Sequence, residues 1–260
     1  MKKISPITIL SVTIAILVIA VVGLLWFIQS KPDPIRGIPP LTEVSPMEPD
    51  SSVWGVNFPN QYSTFLLTAE NNTRTAFAGS LPFQKLEWDP RLVTLWVNYG
   101  FSKDYKEDRG HMHSITDVEE TLRTTDTSAG TCYSCKSANN IELWDEMGAA
   151  KYASTPFGVL GKQITEPIGC VNCHDSSSMR LVVTNPALEN ALEEQGKDWR
   201  TFSRQEMRSL VCANCHVEYY FAGEGNLLTF PWDNGTKIEE IAAYYQEIAF
   251  TDWVHAESGA

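Results

Sequence analysis

Positive charge is what this sequence has least of. Lys and Arg together number 20 against 32 Asp and Glu, leaving a net charge of −12. A chain this acidic is a poor candidate for nucleic-acid binding, which draws its affinity from basic patches. Nor does its overall field invite a small anion, so any anion site must make its own local positive charge. Strand patterning is scarce as well: Leu181-Val182-Val183-Thr184 is the best stretch and it is short. No repeat beyond three cysteine pairs is present, and no low-complexity segment, which excludes a repeat array. Unpaired cysteine is absent too. All six cysteines fall in Cys-x-x-Cys pairs, against the disulfide framework that six cysteines in an exported chain would ordinarily suggest. What remains is 260 residues at 43% apolar composition, enough for one sizeable core or two modest ones.

The N-terminus sets the compartment. Lys2 and Lys3 precede an uncharged stretch from Ile4 to Ser30, and Ile7 to Ile28 supplies the roughly 20 apolar residues that cross a bilayer, with Trp26 near one interface. The lysines place the N-terminus inside and the rest of the chain outside. The apolar run is longer than that of a cleaved signal peptide. Gln29-Ser30-Lys31-Pro32-Asp33-Pro34 is no small-x-small cleavage site. The expectation is therefore an uncleaved transmembrane signal-anchor over residues 1–30, with the body extracytoplasmic. Residues 31–52 hold six prolines and read as an extended linker, followed by the body at 53–260.

That body reads as mainly α, with long irregular connections. Thr116-Asp117-Val118-Glu119 resembles a capping box opening a helix through Leu122 and Arg123. Asn140 is expected to cap a helix to about Tyr152, and Asn185-Pro186 to open another. Ser203-Arg204-Gln205-Glu206 is a second capping box whose helix runs into Cys212. Thr236 to Glu239 is a third. Gly, Pro and Asn abound between helices, as expected where large cofactors fill the interior.

Cys170-Val171-Asn172-Cys173-His174 and Cys212-Ala213-Asn214-Cys215-His216 match the c-type haem attachment pattern. Two thiols two residues apart reach both vinyl groups of one porphyrin, and the following histidine presents an imidazole to the iron. A structural zinc site would also use two such pairs, but the histidines, the export signal and the third pair weigh against it. Cys132-Tyr133-Ser134-Cys135-Lys136 is the unusual motif. A thioredoxin-like redox pair needs a βαβ context, which is not visible. A haem motif that has lost its histidine is another reading. A third is a haem whose proximal ligand is the Lys136 amine, whose proton, held with a free pKa of about 10.4, must leave on coordination.

These motifs, in this order, resemble the catalytic subunit of the pentahaem cytochrome c nitrite reductases, which form ammonia. The resemblance runs from about Trp54 to the end. It includes Asp104-Tyr105-Lys106-Glu107-Asp108-Arg109-Gly110-His111-Met112, Glu120-Thr121-Leu122-Arg123, and Cys212 through His216-Val217-Glu218-Tyr219-Tyr220-Phe221. It implies a multihaem cytochrome c fold of helices and long loops packed around covalently bound haem c, three in this chain and five in the family. It implies that Lys136 holds the active-site haem on Cys132 and Cys135. His174 and His216 are then proximal ligands, and His111 is the distal ligand of the haem on Cys212 and Cys215. Arg123 resembles the family's substrate-binding arginine and Tyr219 its active-site tyrosine. Glu218 and Tyr219 resemble half of a calcium site. Tyr220 is expected to be core packing, and His113 and His255 structural or exposed. No residue convincingly supplies the distal ligand of the haem on Cys170 and Cys173.

The implied reaction is the six-electron reduction of nitrite to ammonium, with a membrane quinol-oxidising cytochrome as electron donor. The family's later Lys-x-Gln-His motif, two further haem motifs and dimer-forming helices do not follow Trp253 to Ala260, so the expectation is an N-terminal portion lacking full activity alone and the homodimer contacts. The competing readings are a membrane-anchored electron carrier, with all three haems six-coordinate, and a zinc-binding interaction module.

Overall fold

The computed structural model describes residues 5–30, 40–74 and 81–260. Lys2 and Lys3, and residues 31–39 of the expected linker, lie outside the described residues. The chain divides into two units, Met1–Pro40 and Leu41–Ala260. In the first, helix α1 (Pro6–Ser30) is continuous over 25 residues with no charged side chain and a mean hydropathy of 2.9 in its most apolar window. At 1.5 Å per residue it is about 37 Å long, enough to cross a membrane.

The second unit is mainly helical, built of short helices joined by turns. Helix α2 (Ser51–Asn57) is capped by Asp50, whose side chain accepts from the Ser52 N–H, and α3 (Pro59–Glu70) follows with proline in its first turn. Residues 41–50, expected in the linker, pack here instead. Asn57 exchanges two hydrogen bonds with the Thr42 backbone, at 3.0 and 2.9 Å, and the Trp54 indole donates to the Glu48 carbonyl. Helices α4 (Lys85–Trp88) and α5 (Arg91–Leu95) lead to α6 (Ser114–Glu119). The helix expected through Arg123 stops at Glu119, because the buried Asp104 carboxylate takes the Leu122 N–H at 3.0 Å and draws residues 120–123 into a turn.

Helices α7 (Asn140–Met147) and α8 (Ala149–Ser154) divide what reads in sequence as one helix. The break is Gly148, at φ 78°, a left-handed conformation suited to glycine. After α9 (Phe157–Leu160), α10 (Pro186–Glu194) opens on the Asn185 cap as expected. The reciprocal capping box of Ser203 and Glu206 opens α11 (Arg204–Leu210). The sheet among the described residues is the hairpin of β1 (Tyr220–Ala222) and β2 (Leu227–Thr229). Leu181 to Thr184 forms only a bridge, between Leu181 and His174. In α12 (Ile238–Glu247) the cap falls one residue later than expected, with Glu240 reaching back to the Lys237 N–H.

Three apolar clusters stand out among the described residues, and each takes in one cysteine turn. Tyr133 is buried with Val118, Leu143, Tyr152, Phe157 and Leu160 under α6 to α9. Val171 packs with Trp54 and Ala138 beside α2. Ala213 joins Leu188, Leu192, Met207, Leu228 and Phe230 between α10, α11 and the hairpin. The first residue between each pair of cysteines is thus a core residue, so burial of these side chains fixes where the thiols stand.

Candidate functional site

Each cysteine pair sits on a single 3-10 turn or its continuation: Gly130–Tyr133, Cys170–Asn172 and Val211–Asn214. The two histidine motifs share one backbone geometry. His174 N–H donates to Cys170 O at 2.9 Å and His216 N–H to Cys212 O at 2.8 Å. The lysine motif differs, since Lys136 N–H donates to Tyr133 O at 2.9 Å, one residue closer. The side chain after the second cysteine therefore leaves a tighter turn in the lysine motif.

All six cysteines are free thiols. Burial raises the pKa of Cys132 against the opposing charges of Arg123 and Lys136, and pushes Cys173 up to about 11. Hydrogen bonding to Cys215 lowers the Cys135 pKa instead, but the βαβ setting of a thioredoxin-like pair does not surround Cys132 among the described residues. The second thiol of the lysine motif, Cys135, is in hydrogen-bonding contact with Cys215 of the third turn, and its sulfur lies 3.9 Å from the Asn214 carbonyl oxygen. No three of His, Cys, Asp and Glu converge as direct ligands of a metal ion among the described residues.

The histidines are arranged for a planar cofactor. The His111 and His216 rings approach each other, with centroids 6.3 Å apart and planes tilted by 39°. One iron between two imidazoles requires about 6.2 Å, from two metal–nitrogen bonds of about 2 Å and about 1.1 Å from each nitrogen to its ring centre. At this separation the two imidazoles could hold a haem iron between them. Burial first, then the positive charges of His216 and Lys136, lower the His111 pKa and favour the neutral ring that ligates. Arg109, paired with Asp117 of α6, anchors the strand of chain leading into His111. His174 turns its Nδ1 to the Met179 carbonyl at 3.0 Å, which leaves Nε2 free. Met179 is left-handed, at φ 54°, and Asp175 holds that loop by accepting from Ser177 and Ser178.

Arg123 comes to the lysine motif from the turn that Asp104 holds. Burial raises the Asp104 carboxyl, but hydrogen bonds from Thr121, the Leu122 N–H and Gln84 outweigh it and leave the pKa lowered. Arg123 Nε then donates to Thr121 Oγ1 at 3.2 Å and its guanidinium lies 4.8 Å from the Phe101 ring centre. Its stem passes over Gly100, where a methyl group would come within 3.2 Å of Cδ. Tyr219 enters the same neighbourhood from the start of the hairpin. The residue is 46% exposed, yet burial, followed by Cys135 and Cys132, raises its pKa while Arg123 lowers it. Arg123 and Lys136 thus act electrostatically on Cys132, and Cys135, Cys132 and Arg123 act on Tyr219. Glu218 is exposed and its carboxylate accepts from the Tyr245 hydroxyl at 3.0 Å.

Tyr220 packs as expected, against Tyr244, Tyr245 and Phe250. His255 is half-buried, with Nε2 3.1 Å from the Thr94 carbonyl, and His113 lies in the 3-10 turn with His111. Sequence reasoning missed Ser114, whose hydroxyl donates to the Lys136 carbonyl at 2.7 Å and accepts from the Ile168 N–H. Asn140, expected as a helix cap, instead lies in the first turn of α7, and its buried amide donates to the Tyr133 and Ser134 carbonyls.

The model of the Cytochrome c552 family matches residues 50–260. A cytochrome c-552 from Bacteroides fragilis is 44% identical over 225 residues, covering 84% of this chain and 46% of that protein. Those from Parabacteroides distasonis and Porphyromonas gingivalis are 42% and 41% identical over 226 residues, with 84% of this chain covered and 46% and 45% of those proteins. The chain spans about half the length of the curated relatives it matches. Among solved structures, a cytochrome c nitrite reductase catalytic subunit from Desulfovibrio desulfuricans ATCC 27774, described for its two calcium sites, superimposes with a TM-score of 0.75. The two are 33% identical, over 84% of this chain and 53% of that one.

Proposed function

The chain belongs to the cytochrome c552 family, and on that premise we propose that it is the haem-bearing part of a nitrite reductase that forms ammonium. The observation that carries this reading is a Cys-x-x-Cys-Lys turn whose thiols lie within electrostatic reach of Arg123 and Tyr219. Three haem c groups are held by thioether bonds to Cys132 and Cys135, Cys170 and Cys173, and Cys212 and Cys215. Lys136, His174 and His216 are proximal ligands, with His111 opposite His216. When bound at the first turn, haem supplies the electron chemistry of nitrite reduction.

The protein's own residues do the rest. Arg123, always protonated, binds the nitrite anion against a net charge of −12. Tyr219 holds its proton, because burial keeps the phenol neutral, and donates it as a hydrogen bond to the bound substrate. Glu218, with the Tyr219 carbonyl, contributes oxygen ligands to a calcium ion, as suits a hard cation; the superimposed reductase carries calcium. A membrane quinol-oxidising cytochrome delivers electrons, α1 tethers the body (53–260) on the extracytoplasmic side, and the complete enzyme is a homodimer.

The test is nitrite titration of the haem-loaded chain, followed by absorbance. Arg123→Gln is expected to bind nitrite roughly ten- to a hundred-fold more weakly, the loss of a charge-assisted hydrogen bond of about 1.5–3 kcal/mol, with haem content unchanged. Wild-type affinity in that variant would sink the role of Arg123. A chain in which all three haems are six-coordinate and exclude nitrite would make it an electron carrier.

A further inference from the structure

Two asparagines tie the three cysteine turns together, and the proposed chemistry uses neither. Asn172 and Asn214 stand directly before the second cysteine of their motifs and are 6% and 4% exposed. A carboxamide so deeply buried must find partners for both its donors and its acceptor inside the protein. Asn172 accepts the Gly169 N–H at 2.9 Å within its own motif and donates to the Ser137 carbonyl at 2.9 Å. Ser137 follows Lys136, so this bond joins the second turn to the first.

Asn214 is the hub of the other junction. Its Oδ1 accepts the N–H groups of Thr184 and Asn185, both at 3.1 Å. Its Nδ2 donates to the Val211 carbonyl at 3.1 Å and lies 3.4 and 3.5 Å from the carbonyls of Val182 and Asn172. The Asn185 amide returns a bond of 2.6 Å to the Asn214 carbonyl, and Thr184 Oγ1 donates to the Asn172 carbonyl at 3.0 Å. The path runs unbroken from Ser137 through Asn172 and Thr184 to Asn214. Asn185 also caps α10, so the junction is fixed to a helix. Oxygen and nitrogen are both required at these positions. A carboxylate would be a buried charge without the donors, and an aliphatic side chain would leave two N–H groups unmet.

We infer that Asn172 and Asn214 are positioning residues that set the spacing of the three haem-attachment turns, and through it the electronic contact between the cofactors. This rests on the reading of those turns as haem sites. Cys135 Sγ lies 3.9 Å from the Asn214 carbonyl oxygen, so a slip of the third turn would move the attachment point of one cofactor relative to that of the next.

The experiment uses the haem-loaded full chain and the variants Asn214→Ala, Asn214→Asp and Thr184→Val. Covalent haem is counted by pyridine haemochrome, and the magnetic interaction between haem irons is read by pulsed EPR. The expected result is full haem content in all three, loss of the wild-type interaction in Asn214→Ala, and a smaller loss in Thr184→Val. Asn214→Asp, which sets a buried carboxylate against the Val211, Val182 and Asn172 carbonyls, loses at least as much as Asn214→Ala. A wild-type interaction in Asn214→Ala at full haem content overturns the inference. If the Asn214 variants fail to accumulate, Thr184→Val decides, and a wild-type signal there overturns it equally. A wild-type chain without covalent haem overturns the haem reading itself, and is recognised before any variant is compared.

Discussion

The phenol of Tyr99 lies against the Asp252 carboxylate, and burial, followed by that hydrogen bond, raises its pKa to about 12. An unfolded tyrosine ionises near 10, so between about pH 10 and 12 the folded chain keeps a proton that the unfolded chain has lost. Stability is then full below about pH 10 and falls as pH rises through the folded pKa. Urea midpoints measured across that window should drop in the wild type and drop less steeply in Tyr99→Phe. Parallel slopes would show that Tyr99 ionisation does not govern the alkaline limit. Asp104 carries the opposite shift, because hydrogen bonds outweigh its burial. Neither behaviour is visible in sequence, where Tyr99 and Asp104 are ordinary surface-type residues. Their partners lie far along the chain, in Asp252, Leu122 and Gln84.

The elements are short, and packing against the cysteine turns holds them. Gly130 opens the turn of the lysine motif where three segments crowd it. A methyl group there would come within 2.5 Å of the Thr155 carbonyl oxygen and 2.8 Å of Leu160 Cδ2. Backbone cannot yield as a flexible side chain can, so Gly130→Ala is expected to cost about 1–3 kcal/mol by overpacking. The check is a lower thermal midpoint, with a change in the absorbance of the haem on Cys132 and Cys135; an unchanged midpoint would contradict the packing described. The caps at Asn185 and Ser203 were legible because a cap is a local signal, a polar side chain meeting an N–H two or three residues on. The turn at residues 120–123 was not, because the acceptor that breaks the helix is 18 residues upstream of Leu122.

Taken as a whole, the molecule joins an apolar helix to an acidic, mainly helical body. The uncharged 25 residues of α1 predict that the chain stays with the membrane after alkaline carbonate extraction and that deletion of residues 1–30 releases the body. A mature N-terminus beyond residue 30, read by mass spectrometry, would show a removed signal instead. By itself the sequence determined the helical class, the apolar N-terminal run and the chemistry on offer. That chemistry is three pairs of thiols two residues apart, followed by His174, His216 and Lys136. Such features are set by spacing along the backbone, which the order of residues states directly. Only the tertiary structure decided which other groups meet: the Cys135 thiol beside the Asn214 carbonyl, and Asn172 and Asn214 linking all three turns. Burial and hydrogen bonding between segments distant in sequence make these pairings, and no local pattern encodes them.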